Sequence, residues 1–172
     1  MSIDNNFLNG FYKAPENVRQ YIHTLIDREG GYNNSPDDSG GATKYGITQE
    51  TSLKFLTYWE EYIAEGSNYP KKQNTSWQGD METLPIKFAR DIYAFEYFYK
   101  PKLDMVDRVS FNIAEAILDA GVLCSPKRAV QWLQKELNLY NKRGKLYDDI
   151  LADGYIGAFT MDALAAFLHT RS

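Results

Sequence analysis

The residues best suited to chemistry are concentrated in one short stretch of the chain, residues 29–48. Glu29 opens the stretch, and two further carboxylates, Asp37 and Asp38, follow it. Glycine pairs at 30–31 and 40–41 allow the backbone to turn sharply, so the loop carries polar groups back towards Glu29. Paired carboxylates in such an arrangement are what the hydrolysis of a glycosidic bond requires. The stretch therefore predicts a glycosidase-type site.

The helix that must position Glu29 is recognisable from its apolar spacing. Apolar residues recur three and four positions apart, which is typical of a helix face turned to a core, at Val18, Tyr21, Ile22, Leu25 and Ile26. Pro15 suits the first turn of this helix and Gly30 suits its end. Glu29 is then predicted on the buried side of the last turn, where partial burial and the negative end of the helix dipole favour the protonated form that a general acid needs. The alternative interpretation is a solvated glutamate in the last turn of a helix.

The remaining pattern predicts a mainly α fold with a small hairpin or loop region after the first helix. We expect a loosely ordered arm over residues 1–14 and a short hairpin over residues 42–48, with Tyr45 and Ile47 on one face. Further helices are predicted over residues 49–65, 84–100, 110–121, 125–139 and 159–168. Residues 66–80 form a polar loop, whose Tyr69 and Trp77 would either stack on sugar rings or pack the loop onto the body.

Composition gives arguments against several classes of function. The net charge of −4 over 172 residues gives no bulk reason to expect nucleic acid as a partner. Cys124 is the only cysteine, so no internal disulfide forms, and two histidines are too few for a histidine-rich metal site. No metal or nucleotide motif is present, and no cofactor is predicted. No stretch is apolar enough for a membrane span, and no signal peptide is visible at the start.

The stretch that begins at Glu29 also resembles a known family. Glu29-Gly-Gly-Tyr32, followed by Asp38-x-Gly-Gly-Ala-Thr43-x-x-Gly-Ile-Thr48, is similar to the signature of glycoside hydrolase family 108. Members of that family are lysozyme-like N-acetylmuramidases of phage endolysins and bacterial secretion activator proteins. The resemblance implies a lysozyme-like helical domain and a specific set of site residues.

The resemblance assigns catalytic roles to three residues. Eight residues separate Glu29 from Asp38 and four more separate Asp38 from Thr43, one fewer than in the Glu–Asp–Thr triad of several phage lysozymes. By that likeness Glu29 is the acid, and Asp38 and Thr43 position the attacking water. Asp37 leaves the choice of aspartate open, and loop capping is the alternative role for Asp and Thr residues here.

The resemblance also implies substrate contacts. Tyr32, Tyr45 and Thr48 lie within the signature and are predicted to contact substrate. A fourth contact is predicted at Asp119, where the family usually has asparagine in Asp-x-x-x-Asn-x-Gly and this chain has Glu115-x-x-x-Asp119-x-Gly. This change replaces an amide by a carboxylate and offers a second acidic group to the cleft.

The last third of the chain resembles the small peptidoglycan-binding module attached to such muramidases. The likeness is carried by residues 128–138, 153–157 and 160–164. It predicts a lysozyme-like catalytic region over residues 1–108 and a helical peptidoglycan-binding-like module, packed on it, over residues 109–172. The alternative is a plain helical hairpin that completes the core.

The activity implied is hydrolysis of the β-1,4 bond between N-acetylmuramic acid and N-acetylglucosamine in peptidoglycan glycan strands. Two alternatives stay open: a lytic transglycosylase acting on the same bond, and a non-catalytic protein that binds the cell wall or assists secretion. The chain would be synthesised in the cytoplasm and act in the periplasm or cell wall. A partner such as a holin or secretion machinery would then deliver it.

Overall fold

The computed structural model describes residues 10–34, 41–64, 77 and 79–171, and of residues 57–64 it describes the backbone alone. Within these residues the helices are α1 (Gly10–Lys13), α2 (Glu16–Glu29), α3 (Gln49–Ala64), α4 (Ile86–Tyr93), α5 (Leu103–Asp107), α6 (Phe111–Cys124), α7 (Pro126–Tyr140) and α8 (Ala158–His169). Two strands, β1 (Thr43–Lys44) and β2 (Ile47–Thr48), form an antiparallel hairpin. The prediction of a mainly α fold with a small hairpin after the first helices is confirmed.

The chain divides into two compact units, Met1–Phe95 and Glu96–Ser172. The first contains α1 to α4 and the hairpin, and the second contains α5 to α8. The functional division predicted between residues 108 and 109 stays a prediction.

The core of the first unit is built on α2 and α4, which pack against each other. The buried face of α2 is the predicted one and contains Val18, Ile22, Leu25 and Ile26. The Phe88 ring of α4 contacts Phe55 of α3 at 5.1 Å between centroids and Trp77 at 5.5 Å. Trp77 is 4% exposed, so it packs the body and is not available to a sugar ring, whereas Tyr69 lies outside the described residues.

The sequence pattern did not predict helix α1, the π-helical segment that follows α4, or helix α5. Helix α1 lies in the predicted N-terminal arm, and it forms because Phe11 is buried there at 3% exposure. The helix predicted over residues 84–100 is α4 followed by the π-helical segment Ala94–Tyr99. Lys102 then adopts a left-handed conformation, with φ of 63°, and α5 begins immediately after it. Apolar spacing does not predict a left-handed residue such as Lys102, because this residue interrupts the helical period.

The second unit packs α6 against α5 and α7, and the buried amide of Gln134 holds the last part of the connector between α7 and α8. The Gln134 amide nitrogen donates to Asp153 Oδ1 (2.9 Å), Tyr155 O (3.0 Å) and Thr160 Oγ1 (3.1 Å). Its carbonyl oxygen accepts from the backbone N–H of Gly154 at 2.8 Å. Gln134 thereby orders residues 153–160 at the start of α8 without any sheet pairing there.

Of the helices in the described part of the chain, none combines the length and the apolar character required to cross a membrane.

Candidate active site

Glu29 is the last residue of α2, and its carboxyl group remains accessible. Gly30 ends the helix with φ of 77°, a left-handed value that favours glycine, and its N–H donates to Ile26 O at 3.2 Å. The Glu29 side chain keeps 35% of its surface exposed, and its Oε1 lies 3.5 Å from Nε of Arg28. An exposed pair of this kind contributes only about 0–1 kcal/mol, so it holds the Glu29 side chain only weakly.

A two-residue turn joins β1 to β2 and lies against the end of α2. Lys44 pairs with Ile47 across the hairpin, and the turn residues Tyr45 and Gly46 have φ values of 55° and 74°. Positive φ at both positions defines a type I′ turn, whose twist matches that of the flanking strands. The backbone N–H of Tyr45 donates to Gly30 O at 3.1 Å. Tyr45 is therefore in the turn and does not share a strand face with the buried Ile47, contrary to the expectation from alternation.

Gly46 lies directly on the aliphatic part of Glu29. A β-carbon added at Gly46 would lie 2.9 Å from Cγ and 3.0 Å from Cβ of Glu29, and 2.7 Å from Oη of Tyr93. The Tyr93 hydroxyl, from α4, donates to Tyr45 O at 2.7 Å. Glu29 of α2, the turn and Tyr93 of α4 thus meet at Gly46.

Sequence reasoning missed the roles of Gly46 and Tyr93. The Tyr45-Gly46 pair was a usable sequence signal for the turn, since glycine is the usual residue in the second position of a type I′ turn. Tyr93 offered no such signal, because it lies among many aromatic residues of the segment 86–99 and its partner is a backbone carbonyl 48 positions away.

Thr43 lies in the middle of a short polar row. Its backbone exchanges hydrogen bonds with Asn33 (N to O, 2.8 and 2.9 Å), and it pairs with Thr48 on its other side. Residues directly opposite in antiparallel pairs have side chains on the same face, so Asn33, Thr43 and Thr48 share one face of the hairpin. Ile47 is buried on the other face. The predicted threonines are thus brought together on the less buried side.

Thr48 also caps a helix. Its hydroxyl oxygen accepts from the backbone N–H of Thr51 at 3.2 Å and lies 3.0 Å from the Thr51 hydroxyl, at the start of α3. This is the capping role that was the alternative interpretation for threonines of this stretch.

The other predicted site residues are dispersed. Tyr32 is 43% exposed, and the half-buried Tyr45 carries the Lys44 ammonium 5.1 Å from its ring centroid. Asp37 and Asp38 lie outside the described residues. Asp119 is half-buried on α6, in the second unit.

A cavity of about 310 Å³ lies in the second unit, where α7 and α8 end. Its lining residues are Leu139, Tyr140, Lys142, Leu146, Phe167, Thr170 and Arg171, and none of the predicted site residues is among them. Within the described ranges, no group of His, Cys, Asp and Glu side chains is arranged to hold a metal ion.

An exposed glutamate at a helix end, a hairpin turn against its stem and a mainly helical fold are the features expected of a lysozyme-like glycosyl hydrolase. The sequence profile described as Glycosyl hydrolase 108 matches residues 22–124, more than half of the chain, and the chain therefore belongs to that family. The match contains Glu29, the hairpin and α6, and confirms the family predicted from the glycine-rich signature.

The fold is also similar to a solved structure, that of Brucella abortus SagA, with a TM-score of 0.59 and 28% sequence identity. The similarity covers 91% of this chain and 75% of that one. No curated protein matches the sequence. Residues 125–172 lie beyond the family match, and the peptidoglycan-binding-like module predicted over residues 109–172 stays a prediction.

Proposed function

We propose that the protein hydrolyses the β-1,4 bond between N-acetylmuramic acid and N-acetylglucosamine in the glycan strands of peptidoglycan, with Glu29 as general acid. Membership of a glycosyl hydrolase family supports the reaction class. The observation that carries the proposal is the placement of Glu29, whose stem lies against Gly46 while its side chain as a whole remains 35% exposed. A proton donor must be both held in position and reachable by the glycosidic oxygen.

In the proposed mechanism Glu29 donates its proton to the glycosidic oxygen as the bond from that oxygen to the anomeric carbon breaks. Asp38 stabilises the oxocarbenium-like centre or activates the water that attacks it, and Thr43 positions that water. Thr43 lies in the polar row with Asn33 and Thr48, whereas the role of Asp38 rests on the family signature alone. No cofactor takes part in these steps.

Substrate contacts are assigned to the residues around this centre. Tyr32 and Tyr45 offer aromatic surface for sugar rings, and Thr48 shares the polar row with Thr43. Asp119 is proposed as a further contact from α6. The second unit would hold the polymer, and the protein would act in the periplasm or cell wall after delivery by a holin or secretion machinery.

The test is the rate at which purified peptidoglycan loses turbidity. We expect Glu29→Gln to reduce the rate by about 10²–10⁴-fold, the usual contribution of general acid catalysis. Glu16→Gln is the matched control, because Glu16 is exposed at the first turn of the same helix. Clearing by Glu29→Gln at the wild-type rate would remove the catalytic assignment.

Mass spectrometry of the digest separates the related reactions. Hydrolysis adds water across the bond, whereas a lytic transglycosylase releases an anhydro sugar that lacks one water. A wild-type protein that sediments with peptidoglycan but never clears it would favour the non-catalytic binding function instead.

A further inference from the structure

We propose that Tyr93 is a positioning residue for Glu29 and acts through the turn Tyr45–Gly46. The inference rests on the proposed role of Glu29 as the general acid. Tyr93 is 1% exposed on α4, and its hydroxyl donates to Tyr45 O at 2.7 Å. Nothing in the family signature includes this residue, which lies 45 positions beyond the end of the signature at Thr48.

The backbone of Tyr45 is held from two directions. Its N–H donates to Gly30 O at the end of α2, and its carbonyl oxygen accepts from Tyr93 on α4. Tyr45 itself has φ of 55°, a backbone conformation that residues other than glycine rarely adopt. Such a conformation persists only where surrounding contacts impose it, and the two hydrogen bonds on Tyr45 are contacts of that kind.

The next residue transmits this constraint to the acid. The Gly46 backbone lies so close to Glu29 that a β-carbon there would be 2.9 Å from Glu29 Cγ. The turn therefore closes one side of the space available to the Glu29 stem, and it limits the side-chain rotamers that Glu29 adopts. A turn released from α4 would leave that side open, and the carboxyl group would then sample positions away from the glycosidic oxygen.

The hydroxyl of Tyr93, not its ring, is what this role requires. A phenylalanine would keep the buried ring of a core position, but it would leave Tyr45 O without this donor. Loss of the bond affects the position of the acid in the transition state more than the binding of the sugar chain. We therefore expect kcat to fall while KM stays nearly constant.

The experiment compares Tyr93→Phe with Tyr147→Phe. Tyr147 makes a matching bond, a hydroxyl donating to Leu137 O at 2.7 Å, but it lies in the second unit. We expect Tyr93→Phe to lower kcat about 10-fold with KM within about 2-fold of wild type, because a small misplacement of a catalytic group costs 10–100-fold in rate. Tyr147→Phe should keep the wild-type kcat, and both variants should show similar shifts in thermal unfolding.

Each outcome decides a separate question. A wild-type kcat in folded Tyr93→Phe, or an equal loss of kcat in Tyr147→Phe, overturns the inference. Wild-type activity in Glu29→Gln overturns the proposed function instead. If Tyr93→Phe fails to fold, Gly46→Ala tests the same contact from the turn, and a wild-type kcat in that variant also overturns the inference.

Discussion

The backbone N–H of Phe11 donates to Oδ1 of Asp91 at 3.0 Å, across 80 positions of the sequence, in a site where Asp91 is only 1% exposed. Oδ2 of the same carboxyl group is buried without a hydrogen-bond partner among the described residues. Burial raises the pKa of Asp91, while the bond from Phe11 and the charges of Lys87 and Arg90 oppose the rise. The bond fastens α1 to α4, which is the helix that also carries Tyr93.

This arrangement predicts a specific pH dependence of stability. Because the pKa of Asp91 is raised above its ordinary value of 3.8, the folded state keeps the proton to higher pH than the unfolded chain. The stability from protonated Asp91 is therefore complete below about pH 3.8 and is lost as the pH rises through the raised value. Asp91→Asn keeps an acceptor for Phe11 and never ionises. We therefore expect this variant to lose the part of the pH dependence of the free energy of unfolding that comes from Asp91.

Urea unfolding between pH 4 and about pH 8 measures the effect, since it reports the free energy of unfolding at each pH. Asp91→Ala is the comparison, because it leaves the Phe11 N–H without an acceptor and should cost about 1–3 kcal/mol. An Asp91→Asn variant with the wild-type slope would contradict the prediction.

The contact of Gly46 with Glu29 predicts a loss of activity in Gly46→Ala. The added β-carbon would lie 2.7 Å from Tyr93 Oη and 2.9 Å from Glu29 Cγ, so both groups must move. We expect turnover of peptidoglycan to fall at least about 10-fold, since the acid is displaced from the reacting bond. Turbidity assays at saturating substrate measure the change.

Gly144→Ala is the matched control for Gly46→Ala. Gly144 has the same φ of 74°, but nothing lies within 4 Å of a β-carbon there. The control therefore carries the backbone strain alone, about 1–2 kcal/mol, and should keep full activity. Equal activities in the two alanine variants would show that the close contact does not matter.

The Gln134 network predicts a large loss of stability in Gln134→Leu. Leucine has a similar size, but it removes the donor to Asp153, Tyr155 and Thr160 and the acceptor for the Gly154 N–H. We expect the free energy of unfolding to fall by about 2–4 kcal/mol, since each unsatisfied buried group costs about 1–3 kcal/mol. Gln20→Leu, at an exposed position of α2, should leave it nearly unchanged. Chemical denaturation followed by circular dichroism is suitable, and equal effects of the two changes would be evidence against the network.

Asp153 should show the opposite pH dependence to Asp91. The bond from Gln134, followed by that from the Tyr155 N–H, lowers the pKa of Asp153 below its ordinary value of 3.8. A lowered pKa adds stability above the ordinary value, and this contribution is lost as the pH falls through the folded value. Asp153→Asn keeps both acceptor bonds and loses only the charge. We therefore expect the midpoint of thermal unfolding to fall less steeply in this variant as the pH is lowered into the acid range. An unchanged acid limb would refute the assignment.

The sequence by itself determined the local features of this protein. The spacing of Val18, Ile22, Leu25 and Ile26 predicted α2 and its buried face, and Gly30 predicted its end, because periodicity and left-handed conformations are properties of short segments. The position of Glu29 in the last turn of α2 followed for the same reason, but its side chain is 35% exposed and does not lie on the buried side as predicted. The glycine-rich signature indicated the family. The mainly α class followed from the same helical periods.

Only the tertiary structure decided which distant groups meet. The carboxyl group of Asp91 accepts from the Phe11 backbone, 80 positions away, which no local pattern of the sequence indicates. Trp77 was a candidate for sugar stacking and is buried against Phe88. Tyr93 looked like any core aromatic, yet its hydroxyl holds the turn that covers Glu29. Each outcome depends on packing between segments far apart in the chain. The sequence pattern of one segment does not specify which distant segment will pack against it.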